Sequence, residues 1–96
     1  MDRETAVNKL IEYVSSQARH NRTYSTDGRT YFRSTWMNDG LKKCLIKSGI
    51  IKRAGRLSQL KGDVPEHMRD RNDSRAVLYK VRKSLVTYDL GNEIVD

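Results

Sequence analysis

The sequence predicts a single small α+β domain, and three patterns lead to this prediction. Two stretches carry apolar residues at helical spacing, and a later run alternates apolar and polar residues as a strand does. The 96 residues are enough for one core of ordinary size and too few for two. Because 36% of the residues are hydrophobic and 32% are charged, we expect a small core under a heavily charged surface.

An N-terminal helix is predicted over residues 3–19. Asp2 is a good N-cap, and Glu4 places a negative charge near the positive end of the helix dipole. The apolar residues that recur at helical spacing and form one stripe are Val7, Leu10, Ile11, Val14 and Ala18.

Residues 20–34 lack a helical stripe and are rich in β-branched and aromatic side chains around Asp27-Gly28. Asp-Gly is a frequent two-residue hairpin turn, so we expect a hairpin-like or extended segment, with a helix over 20–33 as the open alternative. We expect Phe32 and Trp36 to pack in the core, and the arginines of this stretch to face outward.

A second helix is predicted to begin after Ser34 or Asn38 and to end before Gly49, which suits a left-handed C-terminal position. A start near Asn38 avoids the cost of about 1 kcal/mol for Gly40 in the helix interior. The apolar residues at helical spacing here are Met37, Leu41, Cys44 and Leu45.

Two strand-like runs follow, at residues 49–55 and 75–82. Strict alternation places Val77, Tyr79 and Val81 on one face of the second run. Residues 56–74 between the runs are predicted to be a long, polar and mobile wing loop. The segment 84–96 is too apolar for a free tail, and we expect it to pack on the core or to form a homodimer contact.

Positive charge is concentrated in the middle of the chain. The whole sequence has 19 Lys and Arg against 12 Asp and Glu, a net charge of +7. Between residues 19 and 61 there are eleven basic and two acidic residues, a local balance of +9. Such an excess favours an anionic partner, and the simpler alternative is a charge that only keeps the protein soluble.

Several classes of protein are not expected. Cys44 is the one cysteine, so no internal disulfide or zinc site is expected, and His20 and His67 stand apart in polar stretches. We therefore expect no catalytic site, no metal and no cofactor. There is no long apolar run, and the chain starts with acidic residues where a signal peptide would be basic. We expect a protein without membrane contacts in the cytoplasm, or in the host cytoplasm if it is viral.

The order of elements resembles the winged helix-turn-helix superfamily. The resemblance covers residues 33–82, from Arg33-Ser34-Thr35 through the helix, Gly49-Ile50-Ile51-Lys52-Arg53 and the returning strand 77–81. It implies a winged-helix-like domain with an N-terminal helix, a recognition-type helix and a two- to three-stranded antiparallel wing. No separate second helix before the recognition-type helix is evident in the sequence.

The resemblance implies duplex DNA binding by a small prokaryotic or phage regulator of transcription. The recognition-type helix would enter the major groove, and arginines before it and at the wing base would contact phosphates. The candidate nucleic-acid-binding residues are Arg22, Arg29, Arg33, Ser34, Thr35, Asn38, Lys42, Lys43, Lys47, Arg53 and Arg56.

Two other functions stay open. Tyrosines interleaved with arginines around residues 22–33 are also typical of surfaces that bind RNA or single-stranded nucleic acid. A small viral or accessory protein-interaction module, whose basic face binds and inhibits a host enzyme, would use the same charge.

Overall fold

The computed structural model describes residues 1–60, 64–68 and 76–86. Within them, two longer helices pack on one face of a four-stranded antiparallel sheet, and shorter helical turns cover part of the other face. The elements are α1 (Arg3–Arg19), β1 (Thr23–Thr26), β2 (Arg29–Arg33), α2 (Asp39–Lys47), β3 (Ile51–Arg56), α3 (Leu57–Leu60), a 3₁₀ turn (Glu66–Met68) and β4 (Val77–Arg82). Residues 83–86 are also helical. The predicted α+β class is confirmed.

Helix α1 has the predicted limits and the predicted cap. The Asp2 carboxylate accepts a hydrogen bond from the Thr5 N–H at 2.7 Å, which satisfies one of the free donors of the first turn. The buried side is centred on Ala6, Leu10 and Val14. Leu10 and Val14 of the predicted stripe are fully buried, and Ile11 packs against the same core. Val7 and Ala18 are only partly buried.

Residues 20–34 form a β-hairpin and not a helix. Asp27 and Gly28 both have positive φ, 54° and 74°, as the two central residues of a type I′ turn require. This turn matches the natural twist of two antiparallel strands, so it brings Thr26 opposite Arg29 and starts the β1–β2 ladder.

The sheet has four strands in the order β1-β2-β4-β3, all antiparallel. The two runs predicted as strands after α2 do pair, as β3 and β4. The described sheet is larger than the predicted two- to three-stranded wing, because β2 pairs with the distant β4 and β1 pairs with the other edge of β2. In the β2–β4 ladder Thr30 lies opposite Val81 and Phe32 opposite Tyr79. A pairing across so many residues leaves no local sign in the sequence.

Helix α2 begins and ends at residues that the sequence indicates. Asn38 is the N-cap, and its Oδ1 accepts the Leu41 N–H at 3.1 Å. Gly49 follows the helix with φ 74°, a left-handed conformation that glycine adopts without steric cost. Gly40 thus falls in the first turn. None of the helices in the described ranges is long and apolar enough to cross a membrane.

The main core lies between the sheet and the two longer helices. Phe32, Leu10, Leu45 and Val14 are fully buried in it. The described residues that are buried in this cluster are Ala6, Leu10, Val14, Phe32, Met37, Leu41, Leu45, Ile51, Val81 and Val86. Val86 belongs to the segment 84–96, which was predicted to pack on the core or to form a homodimer contact. Residues 87–96 of this segment, and with them the predicted homodimer contact, lie outside the described residues.

A second, smaller core lies on the opposite face of the sheet. Its buried members among the described residues are Leu57, Val64, Met68, Ala76 and Leu78, and Leu78 alternates along β4 with residues of the main core. The prediction of a polar loop over 56–74 is wrong for residues 57–60 and 66–68, which form helical turns and bury apolar side chains. Residues 61–63 and 69–74 lie outside the described residues.

Candidate nucleic-acid interface

The outer side of α2 carries exposed positive charge, as predicted. Lys43 and Lys47 are exposed, whereas Leu41 and Leu45 on the inner side are buried. Lys42 is only partly exposed, because its Nζ lies 5.9 Å from the centroid of the Tyr79 ring, within the range of a cation–π contact. Lys42 therefore points toward β4, while Lys43 and Lys47 face solvent.

Strand β3 adds two arginines to the side of the sheet on which α2 packs. Arg53 lies opposite Tyr79 in the β3–β4 ladder, so Lys42 and Arg53 have the same ring as a neighbour. The ladder shifts register between Arg53 and Gly55, and Arg56 then lies opposite Val77. Because this bulge adds one residue, Arg53 and Arg56 lie on the same face, where regular alternation would separate them.

The turn before α2 presents polar and aromatic side chains beside these basic residues. The Met37 N–H donates to the Ser34 carbonyl at 3.0 Å, and Met37 is buried beneath the turn. Thr35 and Asn38 are exposed and Ser34 is partly exposed. Asn38 already uses its Oδ1 as the helix cap, so the amide NH₂ is the group that is left to donate to a ligand.

Trp36 is exposed, and the prediction that it packs in the core is wrong. It remains 55% exposed, because the turn directs Met37 inward in its place. The Arg22 guanidinium lies 4.5 Å from the centroid of the indole ring, a cation–π contact. Arg22 and Trp36 together form an exposed platform next to the start of α2.

Arg29 and Arg33 lie on the opposite face of the sheet, away from α2. Arg33 is not free to contact phosphates in the predicted way, because its Nη2 donates to the Met68 carbonyl at 2.9 Å and so holds the 3₁₀ turn on the sheet. Arg29 is exposed and lies opposite Arg82. The eleven candidate residues therefore do not form one surface.

The tyrosines of the hairpin also lie on this opposite face. The rings of Tyr24 and Tyr31 stack on each other, with centroids 4.7 Å apart and 6° between the planes. The prediction that Phe32 packs in the core is confirmed, because it is fully buried and meets Tyr13 edge to face. Each stacked tyrosine has one ring face engaged with the other ring, so at most one face of each ring is left to stack on an unpaired base.

Basic residues from the second half of the chain were missed by sequence reasoning. Lys80 and Arg82 alternate along β4 on the same face as Arg29, and Lys52 lies opposite Lys80. Their common face follows only from the sheet register.

The described part of the chain contains no group of three or more His, Cys, Asp or Glu side chains that could hold a metal ion. His67 Nε2 lies 2.9 Å from the Thr23 carbonyl oxygen, and His20 Nδ1 lies 2.9 Å from that of Ser16. The His67 ring thus contacts a backbone carbonyl of β1, and the His20 ring contacts a backbone carbonyl of α1, the helix that it follows.

No protein-family model matches the chain, and no curated protein or solved structure shows significant similarity to it.

Proposed function

We propose that the protein binds duplex DNA through the side of the domain formed by α2, the turn before it and the adjoining face of β3. The biological role that fits such a small basic domain is regulation of transcription in a prokaryote or phage. The surface comprises Trp36, Asn38, Lys42, Lys43, Lys47, Arg53 and Arg56.

The observation that carries the proposal is the meeting of basic residues from two elements around Tyr79. Lys42 of α2 and Arg53 of β3 flank this ring, and the bulge brings Arg56 to the same face. A helix with exposed lysines next to a strand with exposed arginines offers contacts to a groove and to the phosphates beside it.

The arrangement of the strands supports a helix-and-wing mode of docking. Helix α2 ends at Lys47, and a short connection through Gly49 leads into β3, which pairs with β4 as a wing would. The second helix of a helix-turn-helix is not among the described elements, since the turn 34–38 directly joins β2 to α2. The proposal therefore rests on α2 and β3 and not on a helix-turn-helix pair.

The first test is the salt dependence of binding to a 20-base-pair duplex of mixed sequence, followed by fluorescence anisotropy. A protein that neutralises about four phosphates gives a slope of log affinity against log salt near −3.6. The variant Lys43→Gln with Arg53→Gln should weaken binding and make the slope shallower by about 1.8, since about 0.9 is lost per phosphate contact.

The matched control is Lys9→Glu, which also lowers the net charge by two but lies on the exposed side of α1. It should bind DNA with the wild-type slope. Absence of duplex binding at low salt, or equal weakening by the control, would contradict the proposal. Tighter binding of single-stranded DNA or RNA of the same length would favour the single-strand alternative, and a partner retained from nuclease-treated lysate would favour the protein-interaction alternative.

A further inference from the structure

A cleft of about 340 Å³ opens at the end of the sheet where β2 begins and β4 ends. Its walls come from the start of α1, the β1–β2 turn, the α2–β3 connection and the last residues of β4. Five of the twelve described lining residues are basic: Arg3, Arg29, Lys52, Lys80 and Arg82. Asp27 is the acidic residue among them, which gives the described lining a balance of +4.

Like charges face each other directly across the strands in this cleft. Lys52 lies opposite Lys80, and Arg29 lies opposite Arg82. Directly opposed residues have Cβ atoms about 4.5–5.5 Å apart, and like charges in that position destabilise the sheet. Lys80 and Arg82 are two residues apart, so the two pairs lie side by side on one face.

The repulsion is not compensated within the described part of the chain. None of these four side chains takes part in an ion pair or hydrogen bond there. By contrast, Arg33 lies on the same face of the sheet and donates a hydrogen bond to the Met68 carbonyl. Repulsion between these like charges destabilises the folded state. An anion that binds between them therefore stabilises the folded protein.

We propose that this basic cleft binds a small anion with two or more linked phosphate groups, such as inorganic pyrophosphate. Arginine forks and lysine ammonium groups are the side chains that hold phosphate oxygens in proteins. The volume is in the lower part of the range of about 300–1,000 Å³ for small-ligand sites and far too small for a duplex. The lining residues within the described ranges include no aromatic ring, so we expect the site to recognise the linked phosphates and not a base.

The basic cleft is independent of the DNA-binding surface proposed above. Lys52, Lys80, Arg29 and Arg82 lie on the face of the sheet opposite α2, whereas Arg53 lies on the same side as α2. Either proposal can therefore fail while the other stands.

Thermal unfolding of the full chain at low salt tests the proposal. Pyrophosphate and tripolyphosphate should raise the midpoint by about 10 °C or more at roughly 100-fold excess over the dissociation constant. Sodium chloride and sulfate of the same ionic strength should raise it far less. ATP should be no more effective than tripolyphosphate, and titration calorimetry should give one pyrophosphate per chain.

The decisive variant is Lys52→Gln with Lys80→Gln, and Lys43→Gln with Arg53→Gln is the control with the same change of charge on the other face. The cleft variant should unfold at a higher temperature than wild type without ligand, because the repulsion is gone, and should bind pyrophosphate at least tenfold more weakly. The control should keep the full pyrophosphate shift. Arg82→Gln alone should also weaken pyrophosphate binding, so a single substitution provides a second test of the site.

Two results would overturn the proposal. One is a pyrophosphate shift no larger than that of chloride at equal ionic strength. The other is a shift that the Lys52/Lys80 variant retains in full, or that the control loses to the same extent.

Discussion

At the scale of single residues, Tyr13 joins the first helix to the sheet. Its hydroxyl donates a hydrogen bond to the Arg33 carbonyl, and its ring meets Phe32 edge to face. Burial raises the pKa of the Tyr13 hydroxyl above its usual value of 10.0, while the Trp36 backbone hydrogen bond and the Arg22 charge act in the opposite direction. This one side chain therefore holds the end of β2, from which the turn before α2 departs.

Tyr13→Phe should lower the free energy of unfolding by about 1 kcal/mol at neutral pH, because a partly buried carbonyl loses its donor. The folded-state pKa is raised, so the contribution of Tyr13 is fully present below pH 10 and is lost as the pH rises through the folded-state pKa. The stability difference between wild type and variant should thus shrink above pH 10. Urea denaturation from pH 7 to 11 measures it.

The control for this prediction is Tyr31→Phe, since Tyr31 lies on the other face of the sheet and stacks on Tyr24. This variant removes a tyrosine hydroxyl without touching the Tyr13 contact to the Arg33 carbonyl, so at neutral pH it separates the loss of that hydrogen bond from the loss of a phenol group. A Tyr13→Phe difference that stays constant or grows above pH 10 would contradict the assignment.

At the scale of elements, the bulge in β3 decides where the strand directs its side chains. Gly55 has a φ of 142°, a conformation that is essentially restricted to glycine. A Cβ added there would lie 3.2 Å from Gln59 Oε1, which accepts the Arg56 N–H at 3.0 Å. The bulge thus depends on this glycine and also connects β3 to α3.

Gly55→Ala should lower the free energy of unfolding by about 1–3 kcal/mol, from backbone strain and the disturbed Gln59 contact. It should also weaken binding of duplex DNA if Arg56 takes part, because regular pairing would turn Arg56 to the other face. Urea denaturation and anisotropy measure the two effects. Ser58→Ala, an exposed change in α3, should stay within about 0.5 kcal/mol of wild type. Wild-type stability of Gly55→Ala would show that the bulge tolerates a side chain.

At the scale of the whole molecule, one sheet separates two apolar clusters of unequal size. The larger cluster includes α1 and α2, and the smaller one is formed by Leu57, Val64, Met68, Ala76 and Leu78. Within the described ranges this cluster buries five residues against ten in the main core, so we expect it to open more readily than the main core. Arg33 also donates a hydrogen bond to the carbonyl of Met68, a member of this smaller cluster.

Met68→Ala should destabilise the smaller cluster, since a truncated buried methionine typically costs about 2–5 kcal/mol. We expect the loss to be local. In hydrogen–deuterium exchange, uptake should rise in residues 57–60 and 64–68 and stay at the wild-type level in α1. Leu45→Ala in the main cluster should raise uptake in α1 and α2 as well. A uniform rise in Met68→Ala would mean that the two clusters unfold as one unit.

The parts of the fold that the sequence predicts are those that depend on neighbours in the chain. The cap at Asp2, the turn at Asp27-Gly28, the cap at Asn38 and the helix end at Gly49 are all confirmed. Each requires a particular side chain, or the absence of one, within a few residues. Trp36 was misplaced because helical spacing cannot tell whether Trp36 or Met37 faces the core at a helix start.

By itself, the sequence determined the class of the fold, its local elements and the concentration of positive charge in residues 19–61. The tertiary structure alone decided which charges share a surface. Arg53 and Arg56 come to one face through a bulge, Arg33 is held by Met68, and Lys80 meets Lys52 across the sheet. The reason is physical, because strand register is set by packing between distant segments, and a shift of one residue reverses every side chain.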